Sequence, residues 1–399
     1  MIVVQKYGGS SVADVDKILK VANRIKKRIE NGDKVIVIVS AMGKTTDNLI
    51  NLAKSLSKNP HPREMDMLLT TGEQMSVALL SIALNELGIK SKSLNAFQLN
   101  IKTTTDHTKA RIIDIDIDKL NNELQKNEVI IVTGFQGITE DGDLTTLGRG
   151  GSDTSAVAIA AKLNVNCEIY SDVDGVYTCD PRIVKSAKKL KYITYDDMLE
   201  LSSLGAKVLH SRAVELAKKY NIKIYCASTF SEEEGTWVVD KLPEWLEQPV
   251  VTGATIEKDQ IKITLNNLPK DKKIIEKIFE TLSNNKINID MISMFADNEK
   301  FHLSFSVLND LRETIEKSIK AANPLIEMSY QGMFDKVSVV GVGMKSSPGV
   351  AARFFKVLYE NNIIPELVTT SEIKISVLVS KEKSELLLKE LAKEFSLGG

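Results

Sequence analysis

The sequence predicts an α/β protein: a largely parallel sheet flanked by helices, followed by two small ferredoxin-like α+β units. Three observations carry this. Apolar runs of strand length alternate with helix-period patterns up to about residue 230. A segment with two prolines, Asp240–Pro249, then interrupts the alternation. Beyond it three elements recur at one spacing: Ile261–Thr264 against Val337–Val340, Phe279–Leu282 against Phe355–Leu358, and Ile287–Ile292 against Ile363–Val368, each 76 residues apart (337 − 261). Each copy reads as a split βαβ unit, and two copies are too few for a solenoid, so a paired regulatory or binding module is expected. The expected domains are 1–245, 250–330 and 331–399.

Ile2–Val4, Val35–Val39, Val129–Val132, Glu168–Tyr170 and Lys223–Cys226 read as buried strands. Helical stretches near 14–30, 72–87, 152–163, 195–204 and 206–220 separate them. In the first, Val15, Ile18, Ala22, Ile25 and Ile29 recur at three- and four-residue steps and form one stripe, and Ser11 with Asp14 reads as a capping-box start. With 52 Lys and Arg against 53 Asp and Glu, the formal charge of −1 excludes the global basic footprint of a nucleic-acid or anionic-membrane binder. Cys167, Cys179 and Cys226 share no CxxC spacing, and the four histidines are scattered, so neither a disulfide framework nor a protein metal site is expected. The chain opens on a strand pattern without a leader, and no apolar run approaches the roughly 18 residues of a membrane span. A cytoplasmic location is expected.

Three clusters stand at strand ends. Lys6-Tyr7-Gly8-Gly9-Ser10-Ser11 places a cation and two glycines between a strand and a helix, where bare backbone N–H groups suit an anion. Thr145–Ala156 packs Arg149 and Asp153 among glycines at the start of another helix, and an arginine fork suits a carboxylate or phosphate. Ser171–Arg182 is rich in acids and turns, without the ligand spacing of an EF-hand. Open α/β sheets bind ligands at such ends. Two anion loops with separate cations, and no evident nucleophile–base pair, fit phosphoryl transfer, which depends on positioning and charge neutralisation. Gly43-Lys44-Thr45 is not a Walker loop, since its first glycine falls on Ile38, and Gly341-Val342-Gly343 is one glycine short of a dinucleotide fingerprint.

In order along the chain, Lys6–Val12, Ser40-Ala41-Met42, Thr71-Gly72-Glu73, Gly134–Gly137, Thr145–Ala156, Ser171–Arg182 and Leu201–His210 resemble the aspartate kinase family. The repeat resembles its paired ACT domains, so the likeness spans essentially the whole chain. The resemblance implies the amino-acid kinase fold and transfer of the ATP γ-phosphate to the side-chain carboxylate of L-aspartate. A carboxylate with a pKa of ~3.9 is already ionised at neutral pH and needs no general base. By resemblance, Lys6, Tyr7, Gly8, Gly9 and Ser10 hold the ATP phosphates, with Lys207 as a second cation and Asp153 orienting the lysines. Glu73 pairs with the aspartate ammonium and Arg149 with its α-carboxylate, while Ser40, Thr46, Gly150, Gly151 and Ser152 complete the substrate pocket. Ser171, Asp172, Tyr177, Asp180 and Arg182 line the nucleotide, whose Mg²⁺ travels with it.

The resemblance also implies feedback inhibition by lysine, threonine or both, and a homodimer or homotetramer built through the ACT domains. Candidate effector residues are Asn288, Ile289, Val350, Ala351, Ile364, Pro365, Ser371 and Glu372. Two departures stand out. Ser211 replaces a proline common after His210, and the position matching Gly349 in the first ACT unit is Lys273 (349 − 76). The chain ends at Gly399, so a fused homoserine dehydrogenase is not expected. A kinase for glutamate or acetylglutamate fits the motifs less well. A non-catalytic amino-acid sensor predicts losses among Lys6, Glu73, Arg149, Asp153 and Lys207, and all five are present.

Overall fold

The computed structural model describes residues 1–398 except 207, 247, 248, 270, 286 and 297–299. It divides into two units, Met1–Val176 with Lys189–Ser203 and Lys207–Glu247, and Tyr177–Lys188 with Leu204–Ala206 and Gln248–Gly399.

In chain order the first unit contributes strands β1 (Ile2–Tyr7), β2 (Lys34–Val39), β3 (Ser91–Leu94), β4 (Lys102–Thr103), β5 (Ile112–Asp114) and β6 (Val129–Thr133). There follow β7 (Gln136–Ile138), β8 (Leu144–Thr146), β9 (Cys167–Ser171), β10 (Tyr192–Thr194), β11 (Ile224–Ser228) and β12 (Thr236–Val239). Its helices are α1 (Val15–Glu30), α2 (Thr45–Leu56), α3 (Pro62–Glu86), α4 (Ile117–Lys126), α5 (Gly151–Leu163), α6 (Tyr195–Ser203) and α7 (Ser211–Tyr220). Eight strands form one sheet in the order β10-β12-β11-β9-β1-β2-β6-β3. Every pairing in it is parallel except β11 with β12. The β-branched runs of β2 and β6 are buried on both faces, as a doubly covered sheet requires. The chain leaves β1 toward β2 on one side and later returns to β9 on the other. The β1–β9 junction is therefore the switch point where a crevice opens. A four-stranded sheet, β5-β4-β7-β8, lies outside the expected pattern.

The α1 stripe is buried at Ile18, Val21, Ala22 and Ile25, each full burial contributing about 1.5–3 kcal/mol for the larger side chains. Its N-cap is Asp14, which accepts the Lys17 N–H at 2.9 Å. Ser11 is not the cap: it lies in a short 3₁₀ turn, Gly9–Val12, buried with its Oγ 2.6 Å from the Thr229 hydroxyl. The structure also corrects the reading of apolar lengths. By length and composition α3 could cross a membrane. Here Leu69, Val77, Leu80 and Leu84 pack it into the core, and it carries the buried acids Asp66 and Glu73.

The second unit holds β13 (Gly253–Pro269), β14 (Ile292–Ala296), β15 (Lys300–Leu308), β16 (Glu327–Val340), β17 (Leu367–Thr370) and β18 (Lys374–Ser380). Helices α8 (Lys272–Asn284), α9 (Arg312–Ala322), α10 (Val350–Glu360) and α11 (Lys381–Glu394) accompany them. One antiparallel sheet, β14-β15-β13-β16-β18-β17, carries two cores. Positions 76 apart share their burial: Ile261 with Val337, Leu282 with Leu358, Ile287 with Ile363. An inner module gathers Ile263, Leu282, Phe305 and Ile319, and an outer module gathers Ala254, Val339, Phe354 and Leu391.

The expected boundaries need three corrections. Residues 250–257 belong to the outer module, because the first half of β13 pairs with the last residues of β16 and Val251 and Ala254 enter that core. Residues 331–334 pair with the second half of β13, on the inner side. The two modules thus exchange strands through β13 and β16. Residues 177–188, assigned to the first domain, also join the outer core through Cys179 and Val184. The Thr178 carbonyl accepts Ala254 N–H at 2.8 Å, and the Thr178 hydroxyl donates to the Leu397 carbonyl at 2.6 Å.

Candidate active site

A cleft of ≈340 Å³ opens beyond the carboxyl ends of β1 and β2. Lys6, Ser40, Thr46, Glu73, Arg149, Gly150, Gly151, Ser152 and Asp153 line it, so every expected substrate residue meets here. Lys6 ends a central strand, and its Nζ lies 2.7 Å from Asp153 Oδ1, with both side chains 11% exposed. Asp153 stands in the first turn of α5, which begins at Gly151. Gly148 and Gly150 hold φ of +76° and +71°, a backbone region costly for residues with a Cβ. A Cβ on Gly150 would also stand 2.1 Å from the His210 ring. The helix start and Arg149 together form a positive pole for a carboxylate.

The Gly8–Gly9 loop is tight for another reason. A Cβ on Gly9 would come within 2.7 Å of the Ala41 carbonyl, and the Gly9 carbonyl accepts the Gly43 N–H at 3.0 Å. Gly8 donates its N–H to the Tyr170 carbonyl at 3.2 Å, which ties the loop to the end of β9. There the Ser10 hydroxyl donates to Asp172 at 3.3 Å, and the Ser171 carbonyl accepts the Thr229 N–H at 2.8 Å. Gly8, Ser10, Ser171 and Asp172 therefore gather at the switch point.

Glu73 is the most informative side chain. It lies in the middle of α3, 3% exposed, and its Oε1 accepts the Ala41 N–H at 3.1 Å. Its Oε2 is buried with no hydrogen-bond partner among the described residues. Burial pushes its pKa up to about 7, against the opposing pull of the Ala41 N–H and the Gln136 amide. Among the described residues no cation pairs with this buried carboxylate.

Other expected residues fall elsewhere. Tyr7 cannot touch a ligand with its side chain: strand alternation turns it away from Lys6. It is wholly buried, stacked on Tyr170 at 5.2 Å, with its hydroxyl 3.1 Å from Gln5 Oε1. Tyr177, Asp180 and Arg182 lie in the segment that joins the outer module, where Arg182 forks onto Asp180 at 2.7 Å. Lys207 lies outside the described residues. Among the effector candidates, Val350 is buried in the outer core, whereas Asn288, Ala351, Ile364, Ser371 and Glu372 are exposed. Glu372 pairs with Lys345 at 2.6 Å, and Ile289 and Pro365 are half-buried at matching repeat positions. Ala41, Gly43 and Phe135 line the cleft although no role was foreseen for them. Their signal lay in Ser40–Met42, the rejected Walker look-alike and Gly134–Gly137. Among the described residues no group of three or more His, Cys, Asp or Glu side chains is placed to hold a metal ion.

Sheet, switch point and cleft define an enzyme of the amino acid kinase class, and the amino acid kinase family model matches residues 1–228, while an ACT domain model matches 337–395. An aspartokinase from Bacillus sp. (strain MGA3) is 47% identical over 100% of this chain and 98% of its own. Aspartokinase III of E. coli, in complex with aspartate and ADP in its R-state, superposes with a TM-score of 0.83 at 23% identity, covering 99% of this chain and 100% of that one. The same enzyme in complex with lysine and aspartate in its T-state gives 0.75 at 24%, covering 99% of both. The last two are likenesses of fold. The chain belongs to the aspartokinase family.

Proposed function

We propose that the chain transfers the ATP γ-phosphate to the side-chain carboxylate of L-aspartate, forming 4-phospho-L-aspartate for lysine, threonine and methionine synthesis. The observation that carries the reading of the site is the partnerless Oε2 of buried Glu73 in one cleft with Arg149 and the Lys6–Asp153 pair. Glu73 takes the α-ammonium, which supplies the missing cation and keeps the carboxylate ionised. Arg149 takes the α-carboxylate through its fork, beside the start of α5. The substrate is thereby held at both ends with its side chain directed toward Lys6. A side-chain oxygen attacks the γ-phosphorus, the bond to the bridging oxygen breaks, and ADP leaves. No proton moves, so Lys6 acts by offsetting charge between two anions. Asp153 fixes the Lys6 ammonium in place. Gly8, Gly9 and Ser10 receive the phosphates beside Ser171 and Asp172, with Lys207, Tyr177, Asp180 and Arg182 assigned to the nucleotide by resemblance alone. Mg²⁺ bound to the nucleotide neutralises phosphate charge.

Lysine, threonine or both restrain the reaction through the inner and outer modules, and two or four chains assemble through the same sheet. The exposed edge strand β14, with Ile292, Met294 and Phe295 turned to solvent, supports pairing with a second chain. Cytoplasmic residence follows from this role. The test is ATP turnover with L-aspartate, trapping the acyl phosphate with hydroxylamine, with lysine and threonine added singly and together. Hydroxamate formed only with aspartate and suppressed by an added amino acid supports both halves. A folded protein that yields none overturns the assignment.

A further inference from the structure

A second, larger cavity of ≈670 Å³ lies in the first unit and shares Gly148 and Arg149 with the cleft. Its lining carries five permanent cations, Lys109, Arg111, Arg149, Arg212 and Lys219, against a single carboxylate, Glu215. None of the five lies within 4.0 Å of a carboxylate among the described residues, whereas Arg63, Lys162 and Lys218 each have one. Burial, and then the neighbouring Arg111 cation, hold the Arg212 guanidinium below its ordinary value, and burial holds His210 below its own, with Arg212 and Arg149 adding to the effect against Asp153. His210 is thus neutral at pH 7, and its Nδ1 is buried with no hydrogen-bond partner among the described residues.

A merely solvated basic face leaves its long side chains loose. Here Arg212 is built in: it donates to the Leu147 and Ala110 carbonyls, both at 2.8 Å, so one guanidinium is fixed in the wall before anything binds. Like charges gathered around one space, one of them fixed, need charge from outside the chain. The volume falls within the ~300–1,000 Å³ of small-molecule sites.

We infer that this cavity is a second binding site for a compact multivalent oxyanion, one carrying two or more phosphate or carboxylate groups, and that its occupant draws Arg149 away from the cleft. The second clause rests on Arg149 as the partner of the aspartate α-carboxylate; the first does not. Occupancy therefore raises the KM for aspartate and leaves kcat unchanged, a brake independent of the second unit.

Calorimetric titration of the full chain tests the site, with pyrophosphate and citrate as separate probes. Saturating ADP without divalent cations keeps the nucleotide site filled. One anion binds per chain. R111Q/K219Q, at two exposed positions outside the cleft, weakens binding at least about ten-fold, and E215Q tightens it. Preference for pyrophosphate identifies a phosphorylated ligand, and preference for citrate a polycarboxylate. No binding to the wild type, or equal binding to R111Q/K219Q, overturns the site. Turnover is then followed at varied aspartate with Mg²⁺ in excess of the anion. The KM rises with anion in the wild type and not in R111Q/K219Q, whose turnover without anion matches the wild type. Binding without a change in KM overturns the link through Arg149 and leaves the site standing.

Discussion

The two glycine loops of the cleft use glycine for different reasons. At Gly8 and Gly9 no positive φ is required, and what matters is the missing Cβ, since Gly9 lies against the Ala41 carbonyl. At Gly148 and Gly150 the sign of φ itself is the requirement. Their cations differ in the same way. Lys6 is locked to Asp153, whereas Arg149 has no carboxylate within 4.0 Å among the described residues. A cation held by its own chain suits a group that stands in the same place at every turnover. An arginine fork left open suits a carboxylate that arrives and leaves.

The largest effect that could break this contrast is at Lys6. Lys6→Met lowers kcat by roughly 10²–10³-fold and strands Asp153 as a buried, unpaired carboxylate. The thermal midpoint therefore falls as well. Adding Asp153→Asn restores the midpoint and not the turnover; recovery of both would show that the pair only holds the fold. Next come the glycines. Gly150→Ala costs roughly 1–3 kcal/mol from its left-handed backbone alone, and His210→Gly, which removes both the ring and the Cβ that would stand 2.3 Å away, relieves the further clash. Gly9→Ala meets a backbone carbonyl, so no side-chain truncation rescues it. Thermal melts of the two series separate the two uses of glycine, and equal rescue would erase the distinction.

Arg149→Lys keeps the charge and loses the fork, so the KM for aspartate rises about ten-fold with little change in kcat. A fall in kcat instead would move Arg149 from substrate holding to the transition state. An effect of the same size, spread over two pH units, belongs to Glu73. Its protonated form cannot pair with an ammonium, so apparent affinity for aspartate rises as pH rises through about 7. Between pH 6 and pH 8 the gain is about ten-fold, and Glu73→Gln flattens the profile at weak affinity.

Much of the site was legible because its residues sit in short motifs with their own backbone demands. Lys6, Arg149 and Asp153 could be placed at strand or helix ends from glycine and apolar pattern alone. Tyr7 was misassigned although the signal was present, since neighbours on a strand face opposite ways. The cap at Asp14 competed with an equally plausible Ser11, and a hydroxyl 218 residues away in sequence decided it. Residues 177–188 carry no local sign of the core they join, because Cys179 and Val184 meet partners such as Ala254 and Leu397, far along the chain. The strand exchange was equally hidden. Swapping which half of β13 pairs with which half of β16 leaves every local pattern unchanged, and only long-range pairing distinguishes the two arrangements.

That exchange gives the second unit a nested construction. Glu257 on β13 stands opposite Lys336 on β16, in contact at 2.5 Å, so the chain departs into the inner module and returns at adjacent points on one ladder. The outer module is closed without its guest. Joined by a tight turn in place of 258–335, its strands form a simple hairpin of the kind two residues can close. The inner module is thus an extended tip of that hairpin, and lengthening or trimming it there leaves the outer core's own strand pairing intact.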